Sequence, residues 1–171
     1  VIHIATVGPE HAGELFTVQR AAYVREAQRY TAHIPPLRET LAEVRAEIDA
    51  ADVLVFGAWL GTRLVGSVRG RPDGEDGMEV SRFAVAPDMQ GRGVGRSLLG
   101  TLEAAVPAGV RRLWLVTGAA SEDNLRLYQR AGYEPVDDYV DDVGVRILVL
   151  AKPVIQPGGG VSVADIAGSG P

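Results

Sequence analysis

One short stretch limits what this chain can fold into more than any other. Between a strand-like run ending at Val85 and an amphipathic helical pattern stands Gln90-Gly91-Arg92-Gly93-Val94-Gly95. Glycines let a backbone approach an anion closely, and the free amides of a helix start point at it. A phosphate or pyrophosphate is the group such a loop suits. A lone Gly-x-Gly would be no more than a tight turn entering a helix; three alternating glycines directly before an amphipathic helix favour the anion. Two familiar phosphate motifs do not fit. Arg96 occupies the last glycine position of the dinucleotide fingerprint, and three antiparallel strands precede the loop where that fingerprint expects a first parallel unit. The Gly-Lys-Ser/Thr of a P-loop is missing, and the single lysine, Lys152, lies in no such motif.

The flanking patterns order the elements. Alternation over Val1–Val7 predicts a strand. Gly8-Pro9 opens a helix with Leu15, Val18, Ala22 and Tyr23 on its apolar face, and His33-Ile34-Pro35-Pro36 breaks it. Thr40 and Glu43 form a capping box for a second helix that runs to Ala50. Val53–Trp59, Arg63–Arg71 and Met78–Val85 read as an antiparallel meander, with Pro72–Gly77 as a polar turn. After the glycines, Val94, Leu98, Leu102 and Val106 mark a helix face. Arg111–Val116 is a strand, and Ser121 caps a helix that stops at Gly132. Tyr133–Val140 and Val145–Leu150 close as a hairpin. The expected fold is α/β (α+β), a mixed and mostly antiparallel sheet flanked by helices, with Met78–Val85 and Arg111–Val116 joined by a parallel crossover. The division expected is one domain over residues 1–152 and a Gly/Pro-rich tail over 153–171.

Two motifs in order make the chain resemble the GCN5-related N-acetyltransferase (GNAT) family. The first is a strand, Val-x-Pro and a glycine loop, here Phe83-Ala84-Val85-Ala86-Pro87-Asp88-Met89 followed by Gln90–Gly95. The second is Asn124-Leu125-Arg126-Leu127-Tyr128-Gln129-Arg130-Ala131-Gly132-Tyr133. The resemblance covers most of the chain up to Leu150 and implies a GNAT-like sheet with a splayed parallel strand pair, acetyl-coenzyme A as donor and a primary amine of a small molecule or peptide as acceptor. It implies direct transfer in a ternary complex. It places Gln90, Gly91, Arg92, Gly93, Val94, Gly95 and Arg96 on the pyrophosphate, and Phe83, Ala84 and Val85 along the pantetheine arm as a substitute strand. Asn124 would touch the cofactor. Tyr128, four residues on and so on the same helix face, would protonate the leaving thiolate.

The amine must first lose a proton. Glu79 is the leading base, acting directly or through water, because it lies on the strand that reaches Val85. By the period of two, Glu79, Ser81, Phe83 and Val85 share one face. Ser81 could order that water, and His33 is a rival base in the Pro-rich joint. Asp137, Asp138, Asp141 and Asp142 crowd the last hairpin, where carboxylates attract a cationic amine.

Composition narrows the classes. The chain has no cysteine, which excludes a thiolate metal site and a cysteine acyl-enzyme. Its three histidines have no zinc-like spacing, so no metal is expected. A formal charge of −5 argues against nucleic acid as a partner, and no apolar run is long enough to span a bilayer. Arginine outnumbers lysine sixteen to one, a bias that suggests a GC-rich bacterial genome. Val1–Val7 lacks the features of a signal peptide, so a cytoplasmic location is expected. Val161-Ser162-Val163 in the tail would suit pairing with a second copy, which makes a homodimer an expectation too. Two other readings use the same glycine loop: a non-catalytic acyl-coenzyme A sensor or scaffold, and a nucleotide-binding domain.

Overall fold

A computed structural model describes residues 1–30 and 34–155. Seven strands form one sheet: β1 Ile2–Thr6, β2 Leu54–Leu60, β3 Arg63–Asp73, β4 Gly77–Val85, β5 Arg112–Gly118, β6 Glu134–Val140 and β7 Arg146–Pro153. Their order is β1-β2-β3-β4-β5-β7-β6. Every neighbouring pair is antiparallel except β4 and β5. Among the described residues five helices connect them: α1 Ala12–Tyr30, the short α2 Pro35–Arg38, α3 Leu41–Asp49, α4 Val94–Ala104 and α5 Glu122–Arg130. A 3-10 turn, Pro9–His11, precedes α1.

Each face of the sheet carries its own core. On one, the one-turn spacing of Val94, Leu98 and Leu102 lays α4 against Val68, Met78 and Val80, and the cluster continues through Leu113, Leu115, Tyr133 and Leu150. On the other, Leu15 and Val18 of α1 and Val44 of α3 pack on Val55 and Leu64. The Thr40–Glu43 capping box is formed in both directions, satisfying two amides at the start of α3. The sheet runs slightly past the expected domain end: Pro153 still pairs with Arg112, and Val154 N donates to Arg111 O at 2.8 Å. His33 and Val161-Ser162-Val163 lie outside the described residues, as does the tail from residue 156.

The structure corrects one expectation about β4. Arg69 pairs with Ser81, but Ser67 pairs with Ala84, so β4 carries one residue more than β3 opposite Val68. Arg82 takes the extra step with φ 49°, the one positive φ at a non-glycine residue among those described. An inserted residue inverts the alternation beyond it. Glu79 and Ser81 therefore share the α1 face with Arg69 and Arg71, whereas Phe83 and Val85 turn to the α4 face with Gly66. The period of two holds only on either side of this bulge.

Candidate active site

The sheet forks where the bulge lies. β4 and β5 pair only over Gly77–Glu79 and Arg112–Trp114. Beyond that, β4 stays with β3 up to Val85, and β5 stays with β7 up to Gly118. Their facing edges diverge, and the backbone groups of Ser81–Val85 on that side have no strand to bond. A cleft of about 1030 Å³ opens along this gap, over the glycine loop and between α4 and α5. Phe83, Val85, Gln90, Gly91, Gly93, Val94, Gly95, Arg96 and Asn124, all expected at the donor site, line it. Although the chain is acidic, the arginines bordering this cleft (Arg25, Arg29, Arg96, Arg126 and Arg130) outnumber its carboxylates (Glu26, Glu103 and Asp123), a balance that suits an anionic ligand.

The glycines act for different reasons. Gly91 and Gly93 hold φ of 73° and 80°, which other residues adopt only with strain. Gly93 is the N-cap of α4 and offers no side-chain cap, and Ser97 N is the donor that reaches its carbonyl. The amides of Val94, Gly95 and Arg96 are thus left without intrahelical acceptors and open on the cleft. Gly95 has ordinary φ but no room: a Cβ there would stand 2.7 Å from Phe83 Cζ. Gly95→Ala is expected to push the Phe83 ring into the slot and weaken binding of the acetyl-coenzyme A expected there from the sequence about tenfold, or ~1.4 kcal/mol. Calorimetric titration with the coenzyme checks this.

Tyr128 stands beside the fork. Its ring meets Phe83 edge-on at 5.8 Å and Tyr133 at 6.1 Å, and the side chain is almost wholly buried. No described residue hydrogen-bonds its hydroxyl. Burial first, then Tyr23 and Glu26 across the gap, push the phenol far above its ordinary value, so it keeps its proton. Tyr23, half-buried on α1, is pushed up to about 12, mainly by the loss of water around its hydroxyl. Glu26 is raised by burial too, against the pull of Arg29 and Arg25, and it accepts a hydrogen bond from Ser121 Oγ. Ser121 does sit at the N-cap of α5, but its side chain does not cap the helix. It bonds Glu26, and Tyr30 Oη lies 3.0 Å from the same oxygen. Arg29 donates to Ala120 O at 2.8 Å, fastening the end of α1 across the mouth of the fork.

Other expected residues lie elsewhere. Ala84 is buried and faces away from the cleft; only its backbone runs along the slot. Arg92 is exposed and does not line the cleft. Glu79 pairs with Trp114 at the crotch of the fork, on the α1 face, so it could act only from the side opposite the glycine loop. Three of the four hairpin aspartates are tied into local structure. Asp141 Oδ1 accepts from Val143 N and Val145 N, Asp138 pairs with Arg146 at 2.9 Å, and Asp137 Oδ1 accepts from Asp138 N. Asp142 is 3.9 Å from Arg38 of α2. Lys152 is engaged by Glu103 at 2.8 Å and lies over the Tyr133 ring.

A buried network behind the bulge has no counterpart in the sequence motifs. Arg69 donates to both oxygens of Glu39, at 2.7 and 2.9 Å, and to Gln19 Oε1 at 3.1 Å. Gln19 Nε2 donates to Glu39 at 2.6 Å. Arg82 Nε, at the bulge, is 3.5 Å from the same carboxylate, within ion-pair reach but not hydrogen-bonded. Burial alone would raise Glu39, but the bonds from Arg69 and Gln19 and the charges of Arg69 and Arg82 outweigh it and hold the carboxyl below its ordinary value. Charged residues with no period of their own offered no sign of this in the sequence.

A forked sheet with a glycine loop and an uncapped helix start at its opening defines an α/β fold with a site suited to an anionic ligand. The chain belongs to the GNAT acetyltransferase family, whose model, described as "Acetyltransferase (GNAT) family", matches residues 17–133. Solved structures share the fold. The ribosomal-protein-S18-alanine N-acetyltransferase of Escherichia coli superposes with TM-score 0.75 at 18% identity, covering 94% of this chain and 99% of that one. An acetyltransferase from Thermus thermophilus gives 0.68 at 26% identity, covering 90% and 97%. PaiA N-acetyltransferase from Thermoplasma acidophilum, in complex with coenzyme A, gives 0.73 at 18% identity, covering 87% and 98%. No curated protein matches the sequence. No group of residues suited to a metal ion occurs among the described residues, and no helix there is long and apolar enough to cross a membrane.

Proposed function

We propose that the protein moves an acetyl group from acetyl-coenzyme A to a primary amine by direct transfer in a ternary complex. The observation that carries this reading is the juxtaposition of a glycine-loop helix start, a strand edge left unpaired by the fork, and a neutral Tyr128 beside that edge. The amides of Val94, Gly95 and Arg96 hold the pyrophosphate, and the free edge of β4 from Phe83 to Val85 pairs with the pantetheine arm. Asn124 contacts the same arm from α5. The coenzyme A held by the Thermoplasma relative supports an acyl-coenzyme A donor.

An ammonium acceptor gives up one proton through Glu79 or an ordered water. The neutral amine attacks the thioester carbonyl, and a β4 amide near Val85 stabilises the oxyanion. The C–S bond then breaks as the amide C–N bond is completed. Tyr128 gives its proton to the departing sulfur and regains one from the nitrogen through water. The products are the amide, coenzyme A thiol and one proton. With no cysteine in the chain, the thiol formed belongs to coenzyme A alone.

The test has two parts. Calorimetry compares acetyl-coenzyme A, NAD and ATP; binding of acetyl-coenzyme A with neither nucleotide competing is expected, and binding only to a nucleotide would sink the reading. Thiol release with a panel of amines then separates an enzyme from a binding module.

A further inference from the structure

Resting on the acetyltransferase reading, we infer that the acceptor is an arylalkylamine, a primary amine on a short chain bearing an aromatic ring, seated on the α1 face of β5, β7 and β6 beside Glu79. The first observation is an uneven burial of β5. Leu113, Leu115 and Thr117 are buried on the α4 face, whereas Val116, on the other face, keeps 41% of its surface exposed. Register extends that face sideways. Trp114 pairs with Glu79 and Ala151, Val116 with Val149, Val149 with Asp137, and Ile147 with Tyr139, itself 48% exposed. Trp114, Val116, Val149, Ile147 and Tyr139 thus form one apolar shelf. Strands lie about 4.8 Å apart, so three of them span about 10 Å, the size of one ring and a short chain.

The shelf begins at the fork. Glu79 and Trp114 are the last paired residues before β4 and β5 part. A thioester threaded along β4 would therefore be met from this face. Trp114 Nε1 donates to Asp73 Oδ2 at 2.9 Å, which fixes the indole plane before a ligand arrives. Burial, then the charges of Asp141 and Glu79, raise Tyr139, so its phenol stays neutral. The far end of the shelf is spanned by Arg38 of α2 and Asp142 of the β6–β7 loop.

Charge complementarity selects the occupant. On this face Arg71 is paired with Glu47 and Arg69 and Arg82 share Glu39, and Arg112 lies two residues before Trp114, on the closed side of the fork and away from Val116. Glu79 and the exposed Asp137 are left to receive an ammonium. One cation at one end of an apolar surface matches an arylalkylamine. A polyamine would set further charges on Val116 and Ile147, and an aminoglycoside would leave its hydroxyls unpaired there, each costing desolvation.

The experiment measures thiol release from acetyl-coenzyme A with phenethylamine, tryptamine, spermidine and kanamycin, for the wild type, Tyr139→Ala and Val116→Asn. Both substituted side chains keep nearly half of their surface in solvent, so the fold should tolerate them. The wild type is expected to favour the two arylalkylamines about tenfold or more in kcat/KM. Each variant should lose about tenfold on those two while its KM for acetyl-coenzyme A is unchanged. A preference for spermidine or kanamycin, an equal loss on every amine, or acetyl-coenzyme A binding with no amine turned over would overturn this inference and leave the donor site standing. Failure to bind acetyl-coenzyme A at all would overturn the acetyltransferase reading as well.

Discussion

Replacing Tyr128 with phenylalanine is expected to lower kcat by about 10²- to 10⁴-fold, the usual worth of a positioned general acid, with acetyl-coenzyme A affinity little changed. Removing only the hydroxyl keeps the ring contacts to Phe83 and Tyr133 that seat α5 against β4. Since no described residue bonds that hydroxyl, its loss breaks no hydrogen bond among the described residues and stability should hold. A packing role for Tyr128 predicts the opposite pattern, with turnover near wild type. Single-turnover kinetics beside calorimetric binding tell the two apart. Burial also holds the phenol protonated well above neutral pH, so the rate should show no alkaline loss from Tyr128 at ordinary assay pH.

Glu39→Ala is the substitution expected to cost the most stability, about 3–5 kcal/mol, because it strips a buried carboxylate from two arginines. Arg69 is 3% exposed and Glu39 10%, so little water can replace the lost partner. Urea unfolding of variant and wild type measures it. The same network carries a pH signature. Glu39 is held below its ordinary value of 4.5, so the native state keeps it ionised where the unfolded chain takes up a proton. Its contribution is present above 4.5 and is lost as pH falls through the lower native value. Glu26 has the opposite sign, since its native value is raised and its cost grows as pH rises. Unfolding of wild type and Glu39→Gln from neutral to acid pH isolates Glu39: the wild-type curve should fall more steeply at the acid end. Parallel curves would mean that Glu39 is not the group responsible.

The network matters to the site because Arg82 sits both in it and at the bulge. Glu39 belongs to the segment between α2 and α3, and Gln19 to α1. One carboxylate thus ties the α1–α3 layer to the point where β4 changes face. Loss of Glu39 is therefore expected to disturb the slot as well as the fold.

Much of this was legible along the chain. The one-turn spacing of Val94, Leu98 and Leu102 marked α4, the alternating runs marked the meander, and Thr40–Glu43 marked the start of α3, because each signal is local and repeats with the period of its element. The glycine loop and the Asn124–Tyr128 spacing pointed to the donor site, since backbone freedom and helix-face geometry are both properties of near neighbours. Element order, family and anion-binding loop therefore follow from the residues in line. Packing had to supply the rest: that Glu79 and Phe83 lie on opposite faces, that Ser121 turns from its helix to Glu26, and that Glu39 joins Arg69 and Arg82. The bulge depends on how many residues β4 sets against β3, and the ion network on which charges three separate elements bring together. Neither leaves a period in the sequence, because each is a relation between segments that meet only once the chain has folded.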